Sequence, residues 1–189
     1  MSIRIAESEI DVAAETAALA RGRTDIGAVV AFTGICRDDE AGEKIKALTL
    51  EHYPGMAEAE IARHVQEAEA RWPLMGVRIV HRVGRIVPGE IIVLVACASA
   101  HRQAAFAAAE FLMDYLKTRA PFWKRVERAS GTSWIEAREK DDAAAARWRD
   151  RPKRDAAECT QKPGESGCKR NYWRRWSRSS WRCPPPRSR

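Results

Sequence analysis

The sequence is poor in the residues that build metal centres and disulfide frameworks. Its five cysteines are scattered over 189 positions, Cys36 and Cys97 in the body and Cys159, Cys168 and Cys183 near the end. An odd set with no CxxC pair argues against both a disulfide scaffold and a structural zinc site. The four histidines (His52, His64, His81, His101) are dispersed, there is no HExxH pair, and neither GxxxxGK[ST] nor GxGxxG occurs. The signatures of metalloprotease, nucleoside-triphosphate and dinucleotide chemistry are therefore missing, and no metal or cofactor is expected. Long apolar runs are absent too. The longest, Ile91 to Ala98, falls far short of the about 20 residues that span a bilayer. The opening MSIRIAESEI places acids early and does not read as a signal peptide. The expectation is a cytoplasmic protein with no membrane partner.

A strong charge of one sign is also lacking where the chain can build a core. The formal charge is +7, yet residues 1–150 carry 21 Lys and Arg against 23 Asp and Glu, whereas residues 151–189 carry 12 against 3. The basic excess belongs to the tail, so any cationic site in the body must be local. The last 39 residues also hold three of the seven Trp and the Pro184-Pro185-Pro186 run, without apolar periodicity. Disorder is expected there. The chain thus divides into a domain over 1–150 and a tail over 151–189, the latter read first as an unselected or fused extension. Arg interleaved with Trp also suits RNA by charge and stacking. That function would be salt-sensitive and would vanish on deletion after Asp150, and nucleic acid is not expected as the main partner.

Along the body, Ile3 and Ile5 alternate with polar neighbours as a first strand. Ser8 as an N-cap, with Asp11 in the first turn, opens an Ala-rich helix that stops near Gly22. Gly27 to Ile35 (GAVVAFTGI) is apolar, β-branched and Gly-bounded, a buried strand. A polar loop over 37–43 leads to a strand at Ile45 to His52, whose imperfect alternation implies cover on both faces. Pro54-Gly55 turns into a helix over Met56 to Trp72, with Ile61, Val65 and Ala68 in one stripe. Strands over Val77 to Val83 and Glu90 to Ser99 are joined at Pro88-Gly89 as a hairpin. A helix from about Gln103 to Arg119 buries Phe106, Phe111, Leu112 and Tyr115 or Leu116, and Pro121 ends it. Strands at Phe122 to Glu127 and Ser133 to Ala137 precede a terminal helix to about Trp148. Without a strict βαβ rhythm and with hairpins, the fold class is α+β with a mainly antiparallel sheet.

Three clusters carry candidate chemistry. In Phe32-Thr33-Gly34-Ile35-Cys36-Arg37 a strand ends at a glycine-containing turn and delivers an arginine. Ser99-Ala100-His101-Arg102 brings a buried strand to a helix N-terminus, where free N–H groups and the dipole favour an anion. The stretch from Lys117 to Arg125 holds Lys117, Arg119, Lys124 and Arg125 around Pro121. Each also has a plain structural explanation. Arg37 can be a solvated side chain, His101-Arg102 an ordinary first turn, and the basic stretch a helix end whose cations complement the dipole. Lys117 lies 16 residues after His101, about 24 Å along a helix at about 1.5 Å per residue. One helix does not place both in one pocket, so they serve different sites or two copies share one. Lys117 and Lys124 can meet across Pro121. Like charge from Arg119 and Arg125 favours a neutral lysine, the form that nucleophilic or proton-transfer work needs. Cys36 and Cys97, in apolar surroundings, read as small core residues, and Glu51-His52-Tyr53 reads as structural.

Four words, in this order, resemble the large subunit of molybdopterin synthase: AVVAFTG at Ala28 to Gly34, LTLEHYPGM at Leu48 to Met56, Ser99-Ala100-His101-Arg102, and FLMDYLKTRAPFWKR at Phe111 to Arg125. The last is far more specific than any short motif, and the resemblance covers about Ile3 to Trp148. It implies an α/β-hammerhead-like domain that forms a homodimer within a heterotetramer, with a small ubiquitin-like sulfur-carrier subunit at each end. It also implies a sulfurtransferase. Sulfur would pass from the thiocarboxylated C-terminus of the carrier to cyclic pyranopterin monophosphate, twice, making the dithiolene of molybdopterin in molybdenum cofactor biosynthesis. The reactive sulfur then arrives on the partner, which accounts for the lack of a catalytic cysteine.

By matching position, the resemblance makes Lys117 and Lys124 the catalytic lysines, Lys117 the direct participant. Arg37, His101, Arg102 and Arg125 would contact the phosphate and the pterin, and the backbone of Ile35, Cys36 and Val126 would line the pocket. Arg138 would add an anion contact from the neighbouring subunit. Two positions depart from the family pattern: Cys36 stands where Val is commoner, and Val126 where an acid often follows the basic pair. The competing reading is a non-catalytic adaptor that keeps the carrier surface without turnover, which the retained Lys117 and Lys124 oppose.

Overall fold

The computed structural model describes residues 1–40, 42–135 and 145–148. The tail expected to be disordered, Arg138 and most of the expected terminal helix lie outside the described residues. In chain order the elements are β1 (Ser2–Ala6), α1 (Val12–Ala20), β2 (Ala28–Ile35), β3 (Asp39–Glu40), β4 (Glu43–His52) and α2 (Met56–Arg71). They continue with β5 (Leu74–Arg82), β6 (Gly84–Ile86), β7 (Ile91–Ser99), α3 (Arg102–Thr118), β8 (Phe122–Arg128) and β9 (Gly131–Ile135). The class is α+β. Among the described residues no helix is long and apolar enough to cross a membrane.

Two sheets organise the domain. The first has the order β1-β5-β7-β2, antiparallel except for the β1–β5 pair. Helices α2 and α3 cover one face, where Ile61, Val65, Phe111 and Leu112 meet Val77, Ile79, Val93, Val95 and Cys97. On the other face Ile10, Val80, Leu94 and Ala96 pack against Val12 and Leu19, the latter two from α1. This double cover is why β7 reads as an unbroken apolar run and not as an alternating one. Glu15 ties α1 to the sheet by accepting from Arg4 (2.7 Å) and from Arg78.

The second sheet runs β3-β4-β8-β9, with β6 also paired to β4. Its inner face holds Leu48, Leu50, Ile86 and Val126 around Cys36. Gly84, at φ 77°, opens β6, a single residue separating it from the end of β5. The left-handed conformation that glycine adopts without a Cβ penalty lets the chain leave the first sheet there and enter the second.

Five local expectations change. The strand expected to be buried, β2, is the edge of the first sheet and leaves Ala31, Phe32 and Ile35 exposed. The N-cap of α1 is Asp11, whose carboxylate accepts from Ala14 N at 2.9 Å, so the helix opens at Val12 and not behind Ser8. The 37–43 loop contains β3, which forms a small hairpin with β4. Strands β5 and β7 do pair antiparallel, but β6 intervenes and belongs to the second sheet. Phe106 is 61% exposed. The buried face of α3 runs through Ala104, Ala105, Ala108, Ala109, Phe111, Leu112 and Leu116, and Phe106 falls off it.

Candidate functional site

The segment Ile35-Cys36-Arg37 leaves β2 where β7 begins, since Ile35 pairs with Ile91. Cys36 is held on both sides of its peptide: its N–H donates to Glu90 O (2.9 Å), and its carbonyl accepts from Gly89 N (2.8 Å). Glu90 is itself anchored. Its carboxylate accepts from Val87 N (2.8 Å) and from Arg82 Nη2 (3.3 Å), while Arg82 Nε donates to Glu7 O (3.1 Å). The backbone is thus clamped next to Arg37, whose side chain is exposed. Burial, followed by the nearby Glu90 charge, pushes the Cys36 thiol up, and burial alone pushes Cys97 to about 12. Neither is poised as a thiolate nucleophile at neutral pH.

Strand β8 delivers the basic pair. Lys124 lies opposite Leu50, Arg125 opposite Thr49 and Val126 opposite Leu48. Side chains alternate across a strand, so Lys124 and Val126 share the face of the second core while Arg125 emerges on the other. Val126 is buried beside Cys36, so it presents backbone, not side chain, to any ligand. On the outer face Thr49 sits between Arg85 and Arg125, and a shallow cleft of about 250 Å³ opens there, with Glu127 and Thr132 in its lining. Arg85 donates to Glu127 (3.3 Å), Arg125 stands 3.9 Å from Glu51, and its guanidinium lies 5.7 Å from the Trp134 ring centre. Those carboxylates offset the two arginines only in part, and both guanidinium groups stay exposed to an anionic ligand.

Helix α3 holds the remaining candidates at its two ends. His101 is the N-cap residue and uses no side-chain cap bond; its N–H donates to Ser99 Oγ at 3.4 Å. Arg102 opens the helix, and both side chains are exposed beside the free N–H groups of the first turn. Gly27 packs beneath this corner, where an added Cβ would meet Ala100 O at 2.3 Å. Lys117 lies in the last turn, about 22 Å from Arg102 at about 1.5 Å per residue. The sheet separates the same groups. Ala28 pairs with Ser99 at the His101 end, and Ile35 pairs with Ile91 at the Arg37 end. One chain therefore gathers Ile35, Cys36, Arg37, Lys124, Arg125 and Val126 around the second sheet, with Lys117 at the helix end that leads into β8. His101 and Arg102 stand at the far end.

A convergence that linear spacing conceals lies beneath Lys124. His81, the penultimate residue of β5, stacks on Phe122 with ring centres 3.9 Å apart and planes 14° apart. His52, opposite Phe122 in the β4–β8 ladder, approaches the same ring at 6.2 Å. Burial first of all, then the charges of Lys124 and His52, hold His81 down at about 4 against the hydrogen bond to Arg82. In the sequence the only sign is that both histidines sit at strand ends and that an aromatic follows Pro121.

Comparison with known proteins agrees with this architecture. The family model described as MoaE protein matches residues 5–119. The molybdopterin synthase catalytic subunit of Mesorhizobium japonicum is 60% identical over 150 residues, covering 78% of this chain and 93% of that one. Among solved structures, the molybdopterin biosynthesis MoaE protein from Burkholderia ambifaria aligns with a TM-score of 0.67 at 49% identity, covering 78% of this chain and 97% of that one. Molybdopterin synthase from Staphylococcus aureus aligns with a TM-score of 0.65 at 32% identity, covering 70% and 95%.

Proposed function

Because this chain belongs to the MoaE family, whose curated relatives are molybdopterin synthase catalytic subunits, we propose that it is the subunit that moves sulfur from the thiocarboxylated C-terminus of a small ubiquitin-like carrier to cyclic pyranopterin monophosphate. The chain is an enzyme of molybdenum cofactor biosynthesis, and its small-subunit partner brings the sulfur. The observation that carries the reading is the pair of exposed lysines flanking Pro121, Lys117 in the last turn of α3 and Lys124 on β8, the strand whose Val126 packs against the clamped Cys36 that precedes the exposed Arg37. Cations suit both anionic reactants, the phosphate and the carrier terminus. Lys117 meets the carrier's acyl group, Lys124 assists it, and Arg37 and Arg125 neutralise substrate charge. Two deliveries with opening of the cyclic phosphate complete the product.

The distance between the ends of α3 supports a site shared by two copies. Strand β2 is the edge of the first sheet, an apolar strand with Phe32 and Ile35 exposed, and such edges invite pairing with another chain. In a two-fold pair an edge meets itself head to tail. The Arg37 end of one copy then adjoins the Ala28 end of the other, which carries His101 and Arg102. Two catalytic chains, each with a carrier, make the heterotetramer, working in the cytoplasm. Residues 1–150 form the catalytic domain and 151–189 are dispensable to it. The test is reconstituted turnover with purified chain, cyclic pyranopterin monophosphate and thiocarboxylated carrier, product being followed as its fluorescent oxidised derivative. Product from the full chain and from a chain ending at Asp150, with near-complete loss in Lys117→Ala, is expected. Carrier binding without product from the full chain would establish the adaptor instead.

A further inference from the structure

His81 is a buried imidazole for which the transfer chemistry has no use. It pairs with Ile5 and Val93 in the first sheet, while the ring it stacks on, Phe122, opens β8 of the second sheet. Its Nδ1 lies 2.9 Å from Arg82 O. A carbonyl only accepts, so Nδ1 carries the proton and donates, which fixes the tautomer and the ring plane. His52 also approaches Phe122, with ring centres 6.2 Å apart, and its Nε2 stands 3.9 Å from Glu58. Phe122 is also restrained from before, following Pro121 and donating its N–H to Ala120 O at 2.8 Å. Two residues later the same strand carries Lys124.

We propose that His81 is a positioning residue for Lys124: its ring, stacked on Phe122 and hydrogen-bonded to Arg82 O, sets the entry of β8 and with it the place where the lysine's nitrogen stands. The importance of that nitrogen rests on the function proposed above; the clamp itself rests on geometry alone. The groups facing His81 are Lys124 and His52 from the second sheet and Arg82 from its own strand. A neutral, flat ring serves there because a second cation against Lys124 would push the ammonium away, and an aliphatic side chain would fill the volume without orienting Phe122.

The variants separate these roles. His81→Phe keeps a ring on Phe122 and loses the donor, His81→Asn keeps a donor for Arg82 O without the ring, and His81→Leu keeps only apolar volume. Phe122→Leu removes the same stack from its other side. The first readout is the rate at which an acylating reagent labels Lys124 relative to the exposed Lys44, by peptide mass spectrometry on full chains whose fold is checked by near-UV dichroism. Loss of the stack in His81→Asn, His81→Leu or Phe122→Leu is expected to change that ratio about threefold or more, with return towards wild type in His81→Phe. In turnover the same variants lower kcat while KM for the pterin holds, and His81→Phe restores kcat. An unchanged labelling ratio in folded His81→Asn and Phe122→Leu overturns the proposal, whatever their turnover. A wild-type chain that yields no product would defeat the sulfur-transfer reading and leave the labelling result to decide the clamp.

Discussion

Two inactive variants should rescue each other if the site is shared. Lys117→Ala removes a group from one end of α3 and Arg102→Ala from the other, about 22 Å apart at about 1.5 Å per residue, further than an arginine and a lysine reach together. In a two-fold dimer each site takes its lysine from one copy and its arginine from the other. A mixed dimer then has one site with both losses and one with neither. Random exchange between equal amounts makes half the dimers mixed, so turnover should recover to about a quarter of wild type, and to about half when mixed dimers are isolated through two different tags. The assay follows oxidised product at saturating carrier and substrate, against the residual rates of the two parents. Native mass spectrometry confirms the mixed species. Turnover no higher than the parents' in a verified mixed dimer would refute the shared site and require each chain to complete its own.

Other outcomes follow from burial and charge. His81 is held neutral to about 4, against about 6.5 in an unfolded chain. The unfolded state alone gains a proton as pH falls between these values, so stability should drop by about 3 kcal/mol across that window. His81→Phe should lack this component, and a comparison of denaturant midpoints from pH 7 to 4 would detect it. Phe111→Ala empties a wholly buried position packed by Trp72, Tyr115 and Trp148, and should cost about 3–5 kcal/mol, read by thermal unfolding. Glu90→Ala strips Arg82 and Val87 N of their acceptor. It should lower the thermal midpoint and raise KM for the pterin, because Cys36 and Arg37 lose their brace. Gly27→Ala drives a methyl into Ala100 O; a loss of about 1–3 kcal/mol with weakened phosphate binding is expected by calorimetry.

The long elements were legible because their patterns repeat. The unbroken run of β7 and the stripe of Ile61, Val65 and Ala68 each match a burial that the fold provides, whereas the Gly-bounded run of β2 marks a strand correctly but not its burial, because β2 lies at the edge of its sheet. Elements of two or three residues, β3 and β6, carry no period, and β6 is specified by Gly84 and its partner strand. Ser8 and Asp11 are both good caps, and only the geometry at Ala14 chooses between them. Phe106 misleads because the buried face of α3 runs through its alanines with Phe111, Leu112 and Leu116, and Phe106 lies off that face. Within the site, the lysines and arginines stood out as one continuous word. The meeting of His52 and His81 on Phe122 joins strands from two sheets, so no spacing along the chain reports it.

Strands β4 and β8 meet at Leu50 and Lys124, 74 residues apart, whereas β5 and β7 meet at His81 and Val93, only 12 apart. Closing the longer loop loses more chain entropy before any contact compensates it. The β5–β7 hairpin can therefore form early, during synthesis as well as in refolding, whereas the ladders of long separation close later: Ser2 with Arg78 and Ala28 with Ser99 in the first sheet, and Leu50 with Lys124 in the second. A chain arrested before the β4–β8 ladder closes keeps its helices but has not placed Lys124. Far-UV helicity should then recover ahead of turnover on refolding, and temperature or chaperones should move the two on different clocks.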